Sequence, residues 1–397
     1  MKQALVISTV SGFLLKFEKE NVKLLQELGY EVHYAANMDE PFYSFRQEEL
    51  TALGVRGHHI SVARSPFMLG WNARALHTLV QIVRSCSINL IHCHEPMGGV
   101  LGRLVSALVP QQKIQVVYTA HGFHFYEGAP LVNRTVYYCA ERILARLSDA
   151  IVLINREDYA AAQQLRLKQD GKVWLIPGAG LDLDAYMPPD SQTRERFRRK
   201  HGIAGDCYLL LSVGELNENK NHQVMLQALK LLKDRGLLPD HLRYGICGDG
   251  FLRDKLGEMI RDLGLSDVVQ LYGYCTEIRE YLAMADAMAF PSVREGLGMA
   301  ALEALATGIP VLAADNRGTR EYMLPGVNGY VCDPDDAAGF AEHLLRLLDM
   351  APEARARMSR QCRESVNRFS SVCTAGVMKQ VYRELDERVE QAWAGRR

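Results

Sequence analysis

The chain has 397 residues, more than one hydrophobic core commonly supports, and its 48% hydrophobic and 23% charged fractions are those of a soluble two-domain protein. A formal net charge of -1 excludes a global electrostatic pull toward nucleic acid. Nine cysteines, an odd number scattered through apolar runs, fit reduced thiols in a cytoplasmic protein better than a disulfide framework.

The opening "MKQALVISTVSGF" has one lysine and a short apolar run with no small-residue cleavage site after it. A first strand is expected there rather than a signal peptide. "QALVIST" reads as a buried parallel strand, Ser11-Gly12 as a turn, and "KFEKENVKLLQELG" as an amphipathic helix closed by Gly29. "YEVHYAA", "NLIHCH", "IQVVYTA" and "AIVLIN" follow as short strands rich in β-branched residues. Continuous apolar strands alternating with helices indicate a parallel sheet covered on both faces. Between about Pro177 and Asp206 the rhythm breaks in Pro, Gly and charge, which marks a domain boundary. A second series then runs "CYLLLSVGEL", "LRYGICGDG", "VVQLYGY", "AMAFPS", "PVLAA" and "GYVCDP". From about Ala351 the chain is charged and helical in pattern. No stretch reaches ~18 uninterrupted apolar residues, so no membrane-spanning helix is expected.

Ligands of open α/β sheets sit beyond the carboxyl ends of the strands, so motifs just after strands carry extra weight. After "AMAFPS", Gly296 and Gly298 allow a sharp turn and close backbone approach, and the helix that begins there offers free N–H groups to a diphosphate. Glu303 lies inside that helix among apolar residues, where an ionised carboxylate needs hydroxyls or cations. A ribose diol would supply them. Glu295 precedes the glycines and could grip a second polyol. The plainer alternative is that Glu295 caps the helix and Glu303 pairs with an arginine. Lys220 falls near a helix start, where a cation opposes the dipole unless a phosphate is present. His121 follows a strand directly and could hydrogen-bond a sugar hydroxyl, with a backbone-satisfied histidine as an even competitor. For the neighbouring His124 the structural role is favoured. "TVSGF" and "CGDG" are glycine turns after strands, neither of them a full dinucleotide fingerprint.

Two patterns point elsewhere. "HCHE" puts His92 and His94 on one face of a strand end, but no third metal ligand is apparent. "DLD" at Asp182 to Asp184 looks like a metal-binding acid pair, yet "GLDLDAY" reads more naturally as a turn after Gly180.

Together, "REGLGMAALEALATGIPVLA", "SVGELNENKNH", "GDG", "IPGAGLDLDAY" and "NRGTREYMLPGVNGYVCDP" resemble the retaining GT-B glycosyltransferases of family 4, whose signature is Glu-x₇-Glu. "HCHEPMGGVLGRL" and "TAHGFHFYEGAP" look closest to members that build capsular, exopolysaccharide or O-antigen repeats. The resemblance implies an α/β protein of two Rossmann-like doubly wound domains facing a cleft. Residues 1–180 would bind the acceptor, 181–372 the nucleotide-sugar, and the 373–397 helix would pack back on the first domain. Glu303 would hold the ribose, Glu295 the donor sugar, and Lys220 the diphosphate, helped by backbone N–H groups of Gly296, Leu297, Gly298 and Met299. His121 would face the donor sugar. Gly12, Gly214, Gly248 and Gly250 would let loops approach the donor. Family members commonly carry an arginine where this chain has Glu215, so either Arg294, Arg317 or another cation substitutes or the diphosphate is held with less charge. The N-terminal loop also has Ser11-Gly12 where a glycine pair is frequent.

The implied reaction moves a hexose or N-acetylhexosamine from a nucleotide-sugar, UDP by family frequency, to a glycan hydroxyl with retention and no metal or other cofactor. The acceptor would be polyprenyl-diphosphate-linked, with the enzyme cytoplasmic at the inner membrane face. Arg64, Arg74 and Arg84 interleaved with Phe67, Met68, Leu69 and Trp71 could rest on an anionic bilayer, though core helix plus solvated arginines explains the pattern equally. Rival readings are a UDP-sugar 2-epimerase, which acts without an acceptor, and a non-catalytic nucleotide-sugar-binding protein.

Overall fold

The computed structural model describes residues 2–39, 45–126 and 128–394. They fall into two compact units, unit 1 comprising Met1–Gly180 with Ser371–Arg397 and unit 2 comprising Leu181–Ser370.

Unit 1 is built on seven parallel strands: β1 (Lys2–Val10), β2 (Tyr30–Asn37), β3 (Val55–His59), β4 (Leu90–His94), β5 (Gln115–Ala120), β6 (Ala150–Leu153) and β7 (Lys172–Leu175). They lie in the order β3-β2-β1-β4-β5-β6-β7. Strand β1 is buried without a break from Ala4 to Val10 because helices cover both faces, so its sequence shows no alternation. The edge strands β3 ("VRGHH") and β7 ("KVWL") were not legible: they are short, and several of their side chains are partly exposed. The first helix also departs from its sequence pattern. A π-helical segment, Leu14–Glu18, precedes the α-helix Lys19–Glu27 and turns Glu18 inward.

The helix Ser371–Ala394 belongs to unit 1 and packs against Lys19–Glu27. Asp386 accepts from Lys2 Nζ at 2.7 Å and from Tyr30 Oη at 2.8 Å, while Tyr382 Oη meets His92 Nδ1 at 2.7 Å in the core. The helix Pro96–Leu108 contacts both Leu69–Cys86 and Leu131–Leu144. Its buried Arg103 lies over the Tyr118 ring and binds Glu141 of the third helix through two hydrogen bonds, 2.6 and 3.0 Å long. The opposite face of Leu131–Leu144 is apolar and exposed, with Val132, Val136 and Ile143 spaced at i, i+4 and i+11. Arg134, Arg142 and Arg146 are exposed around it. The helix Leu69–Cys86 buries Ala75, Leu79, Ile82 and Val83, but the apolar residues at its start are solvent-facing, Phe67 being 86% and Leu69 75% exposed. Among the described residues no helix is long and apolar enough to cross a membrane.

Unit 2 repeats the logic with six parallel strands: β8 (Tyr208–Val213), β9 (Leu242–Cys247), β10 (Val269–Gly273), β11 (Ala287–Phe290), β12 (Val311–Ala314) and β13 (Gly329–Cys332). Their order is β10-β9-β8-β11-β12-β13, the doubly wound order of unit 1 without its seventh strand. Leu209, Leu211, Met288 and Leu312 of the sheet and Leu302 and Leu305 of the helix Met299–Ala306 are buried.

Candidate active site

Where a doubly wound sheet reverses its strand order, the loops leaving the carboxyl ends of the flanking strands diverge and open a crevice. In unit 2 the reversal lies between β8 and β11. The loop after β8 is stitched to the one after β9: Gly214 N donates to Cys247 O and Leu216 N to Asp249 O, both at 3.0 Å. The fit is so close that a Cβ on Gly248 would lie 1.8 Å from Gly214 O, so only glycine is accommodated. The loop after β11 is tied down from two sides. Asn219 Nδ2 donates to Arg294 O at 2.9 Å, and Val293 N donates to Asn219 O at 2.8 Å. Asn316 Nδ2 holds Ser292 O at 2.8 Å, and Arg317 Nε holds Glu295 O at 3.2 Å.

These tethers bring together Lys220 and Glu295, which the sequence singles out separately. Lys220 closes a short 3₁₀ turn (Glu218–Lys220) that Asn217 caps by accepting from Lys220 N at 3.0 Å, and its stem lies over Gly214. Its Nζ donates to Glu295 Oε1 at 2.5 Å, with both side chains only partly exposed. An ammonium has three donors, so two remain for a further anion. Gly298 ends the loop with φ of +93°, a left-handed conformation in which a Cβ would meet the Phe290 ring at 2.8 Å. The helix Met299–Ala306 starts there with no side-chain cap on its first N–H groups, at its positive dipole end. Gly296 and Leu297 complete that turn. Glu295 does not cap the helix, and Glu303 is hydrogen-bonded by the Tyr186 hydroxyl, supplied by the "GLDLDAY" segment. Burial, reinforced by the Glu303 carboxylate, raises the Tyr186 pKa, so the phenol stays a donor. Glu215 is exposed, while Arg317 is built into the wall of the loop and is 7% exposed. Asp182 Oδ1 accepts from the N–H of Asp184 and Ala185, the turn its sequence pattern favoured.

Unit 1 reverses between β1 and β4, and its loops carry different chemistry. Gly12 turns the chain after β1, and Phe13 then packs on His94 and His121 with ring centroids 5.1 and 5.3 Å apart. Glu95 follows β4 in a strained conformation (φ +61°, ψ 169°), which its carboxylate stabilises by accepting from Thr9 N at 2.7 Å. His121 leaves β5 half-buried, its Nε2 3.4 Å from His94 Nδ1. His124 stacks on Tyr137 with centroids 4.8 Å apart, in keeping with a packing role. The "HCHE" stretch gains the third ligand group that was not apparent in its sequence: Glu18, His92 and His94 present ligand atoms within 4.8 Å of one another. Both nitrogens of His92 are already engaged, however, by Tyr382 Oη and by Thr119 Oγ1 at 2.7 Å each. Burial depresses all three histidines: His92 to about 3, His121 to about 4, and His94 well below the ordinary value. All are neutral imidazoles at neutral pH.

Sequence reasoning missed Glu18, Glu95 and Tyr186. Glu18 had a readable signal, because it shares the i, i+4, i+7 stripe of buried Val22 and Leu25. An acid on such a stripe needs a partner. Glu95 and Tyr186 had none, since their roles come from chain turns that bring distant segments together.

Two family models match: "Glycosyltransferase Family 4" over residues 19–205 and "Glycosyl transferases group 1" over residues 193–365. The chain is 34% identical to EpsD of Bacillus subtilis (strain 168), a protein named as a glycosyltransferase, across 96% of each chain. It is 26% identical, over 79% of each chain, to the UDP-Gal:alpha-D-GlcNAc-diphosphoundecaprenol alpha-1,3-galactosyltransferase of Escherichia coli. Among solved structures, HepE of Anabaena in complex with UDP and glucose superposes with a TM-score of 0.76 at 18% identity, covering 98% of this chain and 100% of that one. Sucrose-phosphate synthase of Thermosynechococcus elongatus gives 0.78 at 19%, covering 97% and 99%.

Proposed function

The chain is a glycosyltransferase of family 4 with the GT-B fold, and from that premise we propose that it transfers a hexose or N-acetylhexosamine from a UDP-sugar to a hydroxyl of a lipid-linked glycan, with retention and without a metal. The observation that carries the donor assignment is the Lys220–Glu295 pair at the uncapped start of the helix Met299–Ala306. Lys220 and the helix N-terminus stabilise the diphosphate as it takes up charge, which is the task a divalent cation performs elsewhere. Arg317, fixed on the same loop, is the cation that substitutes at the position of Glu215. Glu303 holds the ribose diol and Glu295 the hydroxyls of the donor sugar, with Arg294 beside it. His121 hydrogen-bonds a hydroxyl of that sugar.

In the reaction the anomeric C–O bond breaks and its electron pair leaves with the diphosphate. The acceptor oxygen bonds to the anomeric carbon from the same face and passes its proton to a departing phosphate oxygen. UDP as carrier and a polyprenyl-diphosphate acceptor are supported by what the Escherichia coli relative is named for, and a role in surface polysaccharide assembly by the likeness of "HCHEPMGGVLGRL" and "TAHGFHFYEGAP" to members that build such repeats. The surface of unit 1 fits such an acceptor. The apolar face of Leu131–Leu144, ringed by Arg134, Arg142 and Arg146, and the exposed Phe67, Leu69 and Trp71 with Arg64 and Arg74 suit an anionic bilayer.

The test is nucleotide release from a panel of UDP-, GDP- and ADP-sugars, with and without EDTA, alongside thermal shift. Selective stabilisation by UDP and slow release indifferent to EDTA are expected. Preference for another base, or loss of release in EDTA, would overturn the donor and metal assignments respectively.

A further inference from the structure

The buried acid of unit 1 has no place in the donor chemistry, yet it stands at the end of a chain of rings that leads to His121. Glu18 Oε2 lies 3.5 Å from His94 Nε2, and His94 Nδ1 lies 3.4 Å from His121 Nε2. His94 is fully buried, and its Nε2 has no hydrogen-bond partner among the described residues, so the carboxyl of Glu18 is the polar group set to meet it. His92, the neighbouring ring, is satisfied on both sides and stands outside the chain.

We propose that Glu18, acting through His94, fixes which nitrogen of His121 carries its proton, and therefore whether His121 meets its ligand as a hydrogen-bond donor or as an acceptor. Glu18 is a positioning residue, and its consequence for transfer rests on the reading that His121 contacts the donor sugar. The logic follows from a neutral imidazole having one N–H and one lone pair. When Glu18 is protonated, its O–H donates to His94 Nε2, His94 Nδ1–H donates to His121 Nε2, and His121 offers Nδ1–H. When Glu18 is ionised it accepts from His94 Nε2–H. His94 Nδ1 then accepts from His121 Nε2–H, and His121 Nδ1 becomes an acceptor. One proton at the buried end reverses the polarity of the whole chain. No proton leaves the rings in net terms: each histidine keeps one and only its position changes.

Burial pushes Glu18 up to about 8, with the amide of Asn21, at 2.6 Å, pulling it partly down. The titratable groups around it do not share that range as charged species. His92 and His94 on β4 and His121 after β5 are held neutral by burial, and Tyr34 on β2 and Tyr382 on the C-terminal helix are raised by burial. Glu95 is raised as well, but its carboxylate is committed to Thr9 N. Glu18 therefore sets the polarity, with a crossover near neutral-to-alkaline pH.

The experiment is ¹⁵N-histidine NMR of the full chain at pH 6.5 and 9.5, with His121 assigned by its loss in His121→Gln. Protonation of Nδ1 at pH 6.5 and of Nε2 at pH 9.5 is expected in the native protein. In Glu18→Gln, whose carboxamide cannot ionise, His121 should keep one and the same tautomer at both pH values. An unchanged His121 tautomer across that range in the native protein overturns the proposal without any variant needing to fold. Transfer rates form the second arm: the alkaline limb near pH 8 should flatten in Glu18→Gln, and a limb unchanged by the substitution counts against the relay. A tautomer switch in a protein that turns over no sugar nucleotide would uphold the relay and sink the transfer reading instead.

Discussion

The two units share a strand order and differ in what they place where that order reverses. In unit 2 the reversal holds an accessible, charged and glycine-lined loop pair, with Lys220 on Glu295 and a helix N-terminus beside them. In unit 1 the same topological place is filled by rings and neutralised groups: Phe13, His94, His121 and a buried Glu18. The first arrangement suits a ligand that carries its own charge, because fixed opposite charges in a partly desolvated loop gain most from an anion. The second suits a ligand of hydroxyls, to which neutral donors and acceptors can be matched without burying a net charge. Fold alone therefore supplies the crevice, and the loop residues decide its chemistry.

The sharpest way to break the contrast is to remove the charge from unit 2. Lys220→Met should lower kcat by about 10²–10³-fold, the cost typical of losing one preorganised donor to developing negative charge. Glu295→Gln, which keeps the shape but releases the ion pair, should cost about tenfold or more. The unfolding temperature should hold within a few degrees in both, since the pair is partly exposed and such pairs contribute about 1 kcal/mol or less. Activity loss that tracks a collapse in unfolding temperature would mean the pair is structural.

The second prediction separates the units by pH. In unit 1 burial lowers His92 to about 3, His33 and His121 to about 4, and His94 and His58 by direction. In unit 2 it lowers His222 to about 4, and His343. Each folded pKa lies below its unfolded value of 6.5, so the unfolded chain binds protons first and stability is lost as pH falls from about 6.5 toward the folded values. Glu18 works the other way: raised from 4.5 to about 8, it favours the folded state as pH falls through that window. Glu95, also raised by burial, works in the same sense as Glu18, but two acids do not offset five histidines. Unit 1 should therefore unfold before unit 2 near pH 4.5–5, with its transition lowered by on the order of 10 °C from pH 7. Residues 181–370 hold no tryptophan, whereas Trp71 and Trp174 lie in unit 1, so tryptophan fluorescence does not read unit 2 while calorimetry reads both. Coincident transitions at every pH would refute the contrast.

The same contrast explains what the sequence made legible. Unit 2's candidate residues could be picked out in the sequence because they sit within two contiguous stretches, Gly214–Asn221 and Pro291–Glu303, each following a recognisable strand. Lys220 and Glu295 are 75 positions apart, yet each is marked by its own local context of glycines and strand ends. Unit 1's cluster draws on Glu18, His94 and His121, three segments whose meeting depends on the strand order β2-β1-β4-β5 and on a π-helical turn that no local pattern announces. The edge strands β3 and β7 were hidden because their few residues are not uniformly buried, which removes the continuous apolar run that betrayed the central strands. The exposed face of Leu131–Leu144 was missed for the opposite reason: its stripe is as regular as that of a core helix, and only the structure tells which side Glu141 anchors inward.

A smaller effect is expected on that face. Val132→Asp with Ile143→Asp should leave unfolding unchanged within about 0.5 kcal/mol, because exposed side chains contribute little to the core. Sedimentation with vesicles of anionic lipid should fall several-fold, and binding in the native protein should weaken with salt. Equal sedimentation of native and doubly substituted protein would remove this face from the docking assignment.

The smallest effect concerns the acid with two possible partners. A carboxylate offers about four lone-pair sites, so Glu303 can keep Tyr186 and still accept from both hydroxyls of a ribose. Glu303→Gln should weaken UDP binding by about 10-fold, since charged hydrogen bonds are worth roughly 1.5–3 kcal/mol and the amide retains part of the geometry. Tyr186→Phe removes only the aligning hydroxyl and should change Kd by less than about threefold. Calorimetric titration with UDP distinguishes the two roles. If both substitutions weaken binding equally, Glu303 acts by holding Tyr186 in place and the ribose is bound by another group. If deoxygenating the ribose weakens binding to the native protein but not to Glu303→Gln, the carboxylate meets the diol directly, and the one acid in the middle of an apolar helix has its explanation in the ligand rather than in the fold.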